Sequence, residues 1–159
     1  MVNYNFQAYK LASSNSEMSA LNYVGFYETV RRALDDDITP LFEDVHFTRQ
    51  ETFEEPSKSE GDRISAAEWN ETIESLSSAL GEMANYIESE SRMSYMTDYL
   101  ETIQNYYGKS KESVITTDDW NSLVQVIQSA CTTLQNEMED QYNYKHAWKF
   151  GDAMPMRLV

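Results

Sequence analysis

The residues of this chain that could carry out acid–base, nucleophilic or metal chemistry are few and scattered. The two histidines, His46 and His146, have no cysteine or second histidine at ligand spacing, whereas a structural zinc site needs four such ligands. Asp35–Asp37 lacks the alternating ligands, central glycine and final glutamate of a calcium-binding loop. Glu54–Glu55 lies in a polar stretch with no apolar pocket to raise a carboxyl pKa. We therefore predict no catalytic residue, no metal site and no cofactor.

The remaining sequence signals do not favour an enzyme either. The single cysteine, Cys131, excludes an intramolecular disulfide, and its place on an apolar stripe favours a buried structural thiol over a nucleophile. The chain contains no G-x-S-x-G, H-E-x-x-H or C-x-x-C motif and no glycine-rich phosphate loop. Met1–Tyr4 does not begin a signal peptide, and no stretch approaches the roughly 18 apolar residues of a membrane span. We expect a protein made in a reducing cytoplasm, with no membrane partner.

The charge of the chain limits the partners that it can bind. It has 27 acidic and 12 basic residues, for a formal net charge of −15. Direct binding to nucleic acid is not expected, because phosphate contacts need Lys and Arg. The simplest interpretation is a solvated acidic surface, and the alternative is a DNA mimic or an inhibitor of a basic host protein. The 11 tyrosines lie mostly among Glu, Asp and Asn, which favours protein interfaces or core packing over RNA binding.

One heptapeptide, Ile64–Asn70, occurs a second time as Ile115–Asn121. In the first copy the pattern predicts a capping box, in which the Ser65 hydroxyl and the Glu68 carboxylate each accept a hydrogen bond from the other residue's backbone N–H. Ile64 and Trp69 occupy the two positions of a hydrophobic staple around this cap. The second copy has the same four roles, filled by Thr116, Asp119, Ile115 and Trp120. The sequence leaves open whether Asn70 and Asn121 contact a neighbouring chain or the start of their own helix.

Each copy is followed by apolar residues at alternating spacings of four and three, which is a heptad pattern. The first stripe consists of Trp69, Ile73, Leu76, Leu80, Met83 and Ile87, and the second of Trp120, Val124, Ile127, Cys131, Leu134 and Met138. Two to three heptads are short for an extended coiled coil. The pattern therefore predicts a helical bundle, closed either within one chain or between chains.

These elements define the predicted organisation of an all-α protein, built as a helical bundle or from short coiled-coil-like helices with irregular terminal arms. Residues 1–45 form an N-terminal arm and a helix that starts after Ser14, and residues 46–63 form a polar linker. Residues 64–145 form the helical repeat region, whose copies start at 64 and 115, with a break near 89–91. Residues 146–159 form a C-terminal arm.

The repeated motif Ile-(Ser/Thr)-x-x-(Asp/Glu)-Trp-Asn, followed by an amphipathic helix, resembles helix-start segments of bacteriophage virion proteins of the tail-fibre, head-fibre or baseplate type. The resemblance is carried by residues 64–70 and 115–121. It implies an assembly role, in which subunits oligomerise through these helices and bind other virion proteins. It also implies a location in the virion after assembly in the host cytoplasm. The chain lacks the glycine-rich β repeats of typical fibres, so the implied component is a small accessory or connecting subunit.

We therefore predict a non-enzymatic structural component of a phage virion, such as a fibre, neck or capsid-accessory subunit. Its interface and core residues would be Ile64, Trp69, Ile73, Leu76, Leu80, Ile115, Trp120, Val124, Ile127 and Leu134. A small acidic interaction protein is the second hypothesis. An enzyme whose site is assembled from distant residues is the third, and it would require a deep pocket with convergent polar groups.

Overall fold

The computed structural model describes residues 5–12, 18–45, 53 and 56–147. This part of the chain contains four α-helices and no β-strand, which confirms the all-α prediction. The helices are α1 (Ala20–Arg32), α2 (Ala66–Ala84), α3 (Glu90–Gln104) and α4 (Thr117–Ala147). A 3₁₀ turn, Phe6–Tyr9, precedes α1, and a π-helical turn (Ala33–Ile38) and a 3₁₀ segment (Thr39–Val45) follow it.

Serine caps determine where α1 and α3 begin. Ser19 has extended backbone and accepts a hydrogen bond from Asn22 N–H (3.0 Å), so α1 starts at Ala20. The prediction that this helix starts after Ser14 is wrong, and Ser14 itself lies outside the described residues. Ser89 caps α3 through Arg92 N–H (3.3 Å), so the predicted break near 89–91 is confirmed.

The helical repeat region contains three helices, joined by a short connection after α2 and a longer one, residues 105–116, after α3. α2 ends at Ala84 and α3 begins at Glu90, so five residues separate them. Gly108 has a φ of 87° just beyond α3, the left-handed conformation that glycine adopts at low cost after a helix. α4 spans 31 residues, or about 46 Å at 1.5 Å per residue, and is the longest helix of the described part.

Helices α1, α2 and α4 run in the same direction, and α3 returns between α2 and α4. Tyr23, Trp69 and Trp120 lie in the first turns of these three helices, and their rings contact one another. At the opposite end, the Phe42 ring lies against Tyr86, the second residue after α2, with centroids 5.7 Å apart. α3 packs against both α2 and α4. The first turns of α1, α2 and α4 therefore lie together at one end of the bundle, which we call the convergent end.

The segments outside the four helices also pack on the core. The N-terminal 3₁₀ turn contacts α1 and α4, and Phe6 is buried against Phe26 with ring centroids 6.1 Å apart. Residues 5–12 of the predicted N-terminal arm therefore pack on helices of the same chain. Within the linker, Phe53 is fully buried and its ring contacts Tyr27. Residues 148–159 of the predicted C-terminal arm lie outside the described residues.

Candidate functional site

Both copies of the repeated motif start a helix, but with different hydrogen bonds. In the second copy, Thr116 Oγ1 accepts from Asp119 N–H and Asp119 Oδ2 accepts from Thr116 N–H, each at 3.0 Å. In the first copy, Ser65 Oγ accepts from Glu68 N–H at 3.1 Å. The Glu68 carboxylate pairs with the Lys58 ammonium instead of the Ser65 N–H, because the linker places a cation beside it. The predicted capping box is thus complete in the second copy and half formed in the first.

The start of α1 is a third, divergent copy of the same helix start. Ser19 is its cap, Met18 precedes the cap, and Tyr23 occupies the position of the tryptophans. The Tyr23 ring centroid lies 6.0 Å from those of Trp69 and Trp120, which are themselves 6.3 Å apart. This aromatic triad of Tyr23, Trp69 and Trp120 is buried. In the sequence this copy is marked by a serine that is followed four residues later by an aromatic residue, and it was not predicted.

Trp69 and Asn70 hold the connection between α3 and α4 by its backbone. The Trp69 indole N–H donates to Tyr106 O at 2.8 Å. Asn70 Oδ1 accepts from the N–H groups of Gly108 (3.0 Å) and Lys109 (2.9 Å), and Asn70 Nδ2 donates to Lys109 O at 2.8 Å. Four backbone groups of one loop are thus bonded by two adjacent side chains, which we call the first clamp.

Trp120 and Asn121 make the equivalent contacts to the N-terminal arm. The Trp120 indole N–H donates to Tyr9 O at 2.8 Å. Asn121 Oδ1 accepts from Leu11 N–H at 2.7 Å, and Asn121 Nδ2 donates to Leu11 O at 3.0 Å. We call this pair the second clamp. Each asparagine binds a distant segment of its own chain. Neither alternative that the sequence left open, a neighbouring chain or the start of the same helix, includes these contacts.

The predicted interface and core residues pack against other parts of the same chain. Along both stripes the side chains are buried, and Ile64 and Ile115, which precede the caps, are half-buried against the core. The fully or almost fully buried members are Trp69, Ile73, Leu76, Leu80, Trp120, Val124, Ile127 and Leu134. The heptad stripes therefore close against other helices of the same chain.

A polar cluster around Glu137 joins the start of α3 to α4. The Glu137 carboxylate accepts from Gln141 Nε2 (2.7 Å), Glu88 N–H (2.9 Å), Arg92 Nη1 (3.1 Å) and Ser89 N–H (3.4 Å). Burial by itself would raise the Glu137 pKa, but these hydrogen bonds outweigh it and lower the pKa below its usual value of 4.5. Glu137 acts as a cap supplied by another helix, and the sequence pattern contained no local signal for it.

The described residues contain no cluster of side chains arranged to hold a metal ion, and the one cysteine is buried. No group of three His, Cys, Asp or Glu side chains in this part could hold a metal ion. Cys131 is buried, and burial raises its thiol pKa to about 12, which suppresses the nucleophilic thiolate. Among the described helices none is long and apolar enough to cross a membrane. Both histidine side chains and Glu54–Glu55 lie outside the described residues.

Comparison with protein-family models, with curated proteins and with solved structures finds no match to this chain. The clamps bond backbone groups of distant segments, so they hold these segments in place.

Proposed function

We propose that this chain is a non-enzymatic structural subunit that serves as a braced helical platform in an assembly. The observation that carries the proposal is the use of the repeated Trp-Asn pair. In both copies it fixes a distant loop or arm by its backbone. Such bracing reduces the conformational freedom of surface segments, and so lowers the entropic cost of docking them on a partner.

The particular assembly that we propose is a bacteriophage virion, with the chain as a fibre, neck or capsid-accessory subunit assembled in the host cytoplasm. The resemblance of residues 64–70 and 115–121 to helix starts of virion proteins supports this choice. Contacts to other subunits would use surfaces outside the heptad stripes, because the stripes are already buried. The exposed tyrosines Tyr95, Tyr107 and Tyr144 suit this role, since tyrosine is enriched at protein interfaces.

Quantitative mass spectrometry of gradient-purified phage particles tests this proposal. The particles are produced from a phage genome that encodes the chain, and the infected-cell lysate is measured in parallel. We expect the chain in the particles at a fixed copy number relative to the major capsid protein. A chain that is abundant in the lysate but lost from the particles would refute a virion role.

The competing function is a small acidic protein that occupies the binding site of a basic host protein. The observation in its favour is that several carboxylates of α2 and α3 are exposed, among them Glu71, Glu74, Asp98 and Glu101. Light scattering at low and high salt separates the two proposals. A salt-resistant oligomer supports the assembly role, whereas a monomer that binds a basic protein only at low salt supports the acidic mimic.

A further inference from the structure

A cavity of about 200 Å³ opens at the convergent end of the bundle. Its apolar walls are Met18, Ile64 and Ile115, the residues that precede the caps of α1, α2 and α4, together with Trp69 from the aromatic triad. The cavity thus lies where the three helix starts meet. It is smaller than the roughly 300–1,000 Å³ typical of small-molecule sites, so it suits a single side chain of a partner better than a cofactor.

The rim of this cavity is cationic in a chain that is strongly acidic. Lys109 and Lys111 line it, and no Asp or Glu is among the described residues that do so. Neither ammonium group has an ion-pair partner in the described part of the chain. The backbone at Lys109 is fixed by the first clamp. The base of that side chain is therefore held in place before any ligand arrives.

A second cavity at the same end serves as a natural control. It has a volume of about 230 Å³ and is lined by Leu11, Met18, Val114 and four residues of the second motif copy, Ile115, Thr116, Thr117 and Trp120. Leu11, held by the second clamp, takes the place that Lys109 has in the first cavity. The duplicated helix start therefore produces two apolar cavities, and among the described lining residues lysines occur only at the first.

We propose that the cavity rimmed by Lys109 and Lys111 binds a peptide segment of a partner protein, with an apolar side chain between Ile64 and Ile115 and a neighbouring carboxylate on the two ammonium groups. Apolar burial supplies a central anchor of the kind that dominates protein interfaces. The lysines select an acidic neighbour, and the exposed carboxylates elsewhere on the chain would repel such a segment. The proposal does not depend on whether the assembly is a virion.

The test is a ¹⁵N–¹H NMR titration of the full chain with N-acetyl-L-leucine, which carries an isobutyl group beside a carboxylate. N-acetyl-L-leucinamide is the matched probe without the charge. The indole signal of Trp69 reports on the lysine-rimmed cavity and that of Trp120 on the lysine-free one, after the Trp148→Phe and Trp69→Phe variants have assigned all three indole signals. We expect the acid to shift the Trp69 signal saturably and to bind there at least tenfold more tightly than the amide, with no such preference at Trp120.

The Lys109→Gln/Lys111→Gln variant should remove the preference for the acid at Trp69. The control variant Lys10→Gln/Arg32→Gln loses two cations away from this cavity and should retain the preference. Unfolding curves of both variants check that the bundle is intact. The proposal is overturned if the acid leaves the Trp69 signal unshifted, if acid and amide bind alike, or if the preference survives in Lys109→Gln/Lys111→Gln.

Discussion

At the scale of single residues, the half-buried Asn70 uses both ends of its side-chain amide to hold one loop. Its amide bonds three backbone groups of the loop after α3. Asn70→Ala leaves these groups without their partner, so we expect the free energy of unfolding to fall by about 1–3 kcal/mol. Urea denaturation measures the change. Asn85→Ala, at an exposed position just after α2, is the control and should stay within about 0.5 kcal/mol of the parent. Equal effects of the two substitutions would contradict a clamping role for Asn70.

The hydroxyl groups of Tyr27 and Tyr9 differ in hydrogen bonding, so their removal should change the free energy of unfolding differently. Tyr27 is fully buried, burial raises its pKa well above the usual value, and its hydroxyl has no hydrogen-bond partner among the described residues. An unpaired buried hydroxyl is unfavourable, so Tyr27→Phe should leave the free energy of unfolding unchanged or raise it by up to about 1 kcal/mol. The Tyr9 hydroxyl accepts a hydrogen bond from Thr29 Oγ1 at 3.0 Å. Tyr9→Phe should therefore lower the free energy of unfolding by about 1 kcal/mol. Thermal unfolding of both variants checks the contrast, and a loss at Tyr27 as large as that at Tyr9 would refute it.

At the scale of helices, two glycines occupy helix interiors with opposite surroundings. A Cβ at Gly25 in α1 would lie 3.0 Å from Tyr9 Cε1, whereas a Cβ at Gly81 in α2 meets nothing within 4 Å. Gly81→Ala should therefore stabilise the protein by about 0.5–1 kcal/mol through helix propensity. Gly25→Ala should show no such gain, because the added methyl group displaces the Tyr9 ring of the arm. Urea denaturation gives both values, and a similar gain at Gly25 would show that the arm does not pack tightly on α1.

The stability of the protein should fall in acid, because the Glu137 carboxylate holds the connection between α2 and α3. Its pKa is lower in the folded protein than its usual value of 4.5. The resulting stabilisation is therefore fully present above about pH 4.5 and is lost as the pH falls through the folded-state pKa. Glu137→Gln should be less stable than the parent at pH 7, and the difference should shrink as the pH falls below 4.5. Denaturation at a series of pH values measures this, with Glu74→Gln as an exposed control. A difference that is the same at pH 3 and pH 7 would contradict the assignment.

The helices could be predicted from the sequence because their signals are local. A serine or threonine cap, an acidic residue three positions later and apolar residues at heptad spacing all lie within a few turns of one helix. The clamps could not be predicted, because the partners of Trp69 and Trp120 are 37 and 111 residues away. Those partners are backbone carbonyl groups, which leave no mark in the residue types. The third copy at Ser19 was missed because Tyr23 stands where the other copies have Trp.

At the scale of the whole molecule, the repeat organises a bundle whose two clamps differ in what they hold. The first clamp fixes a loop between α3 and α4, and the second fixes the arm that precedes α1. The arm residue Phe6 lines a cavity of about 100 Å³ together with Cys131 and Gln128 of α4. The access of reagents to the chain's single thiol should therefore depend on the second clamp and not on the first.

Labelling of Cys131 with a thiol reagent under native conditions tests this dependence. The thiol is buried, and burial raises its pKa to about 12, so it should react only when the structure around it opens. Asn121→Ala removes two bonds to Leu11 and loosens the arm, whereas Asn70→Ala loosens a loop that does not line this cavity. With the rates compared at equal global stability, we expect Asn121→Ala to be labelled at least several-fold faster than Asn70→Ala. Equal rates would mean that Cys131 is exposed only by global unfolding, and that the arm does not open separately from the bundle.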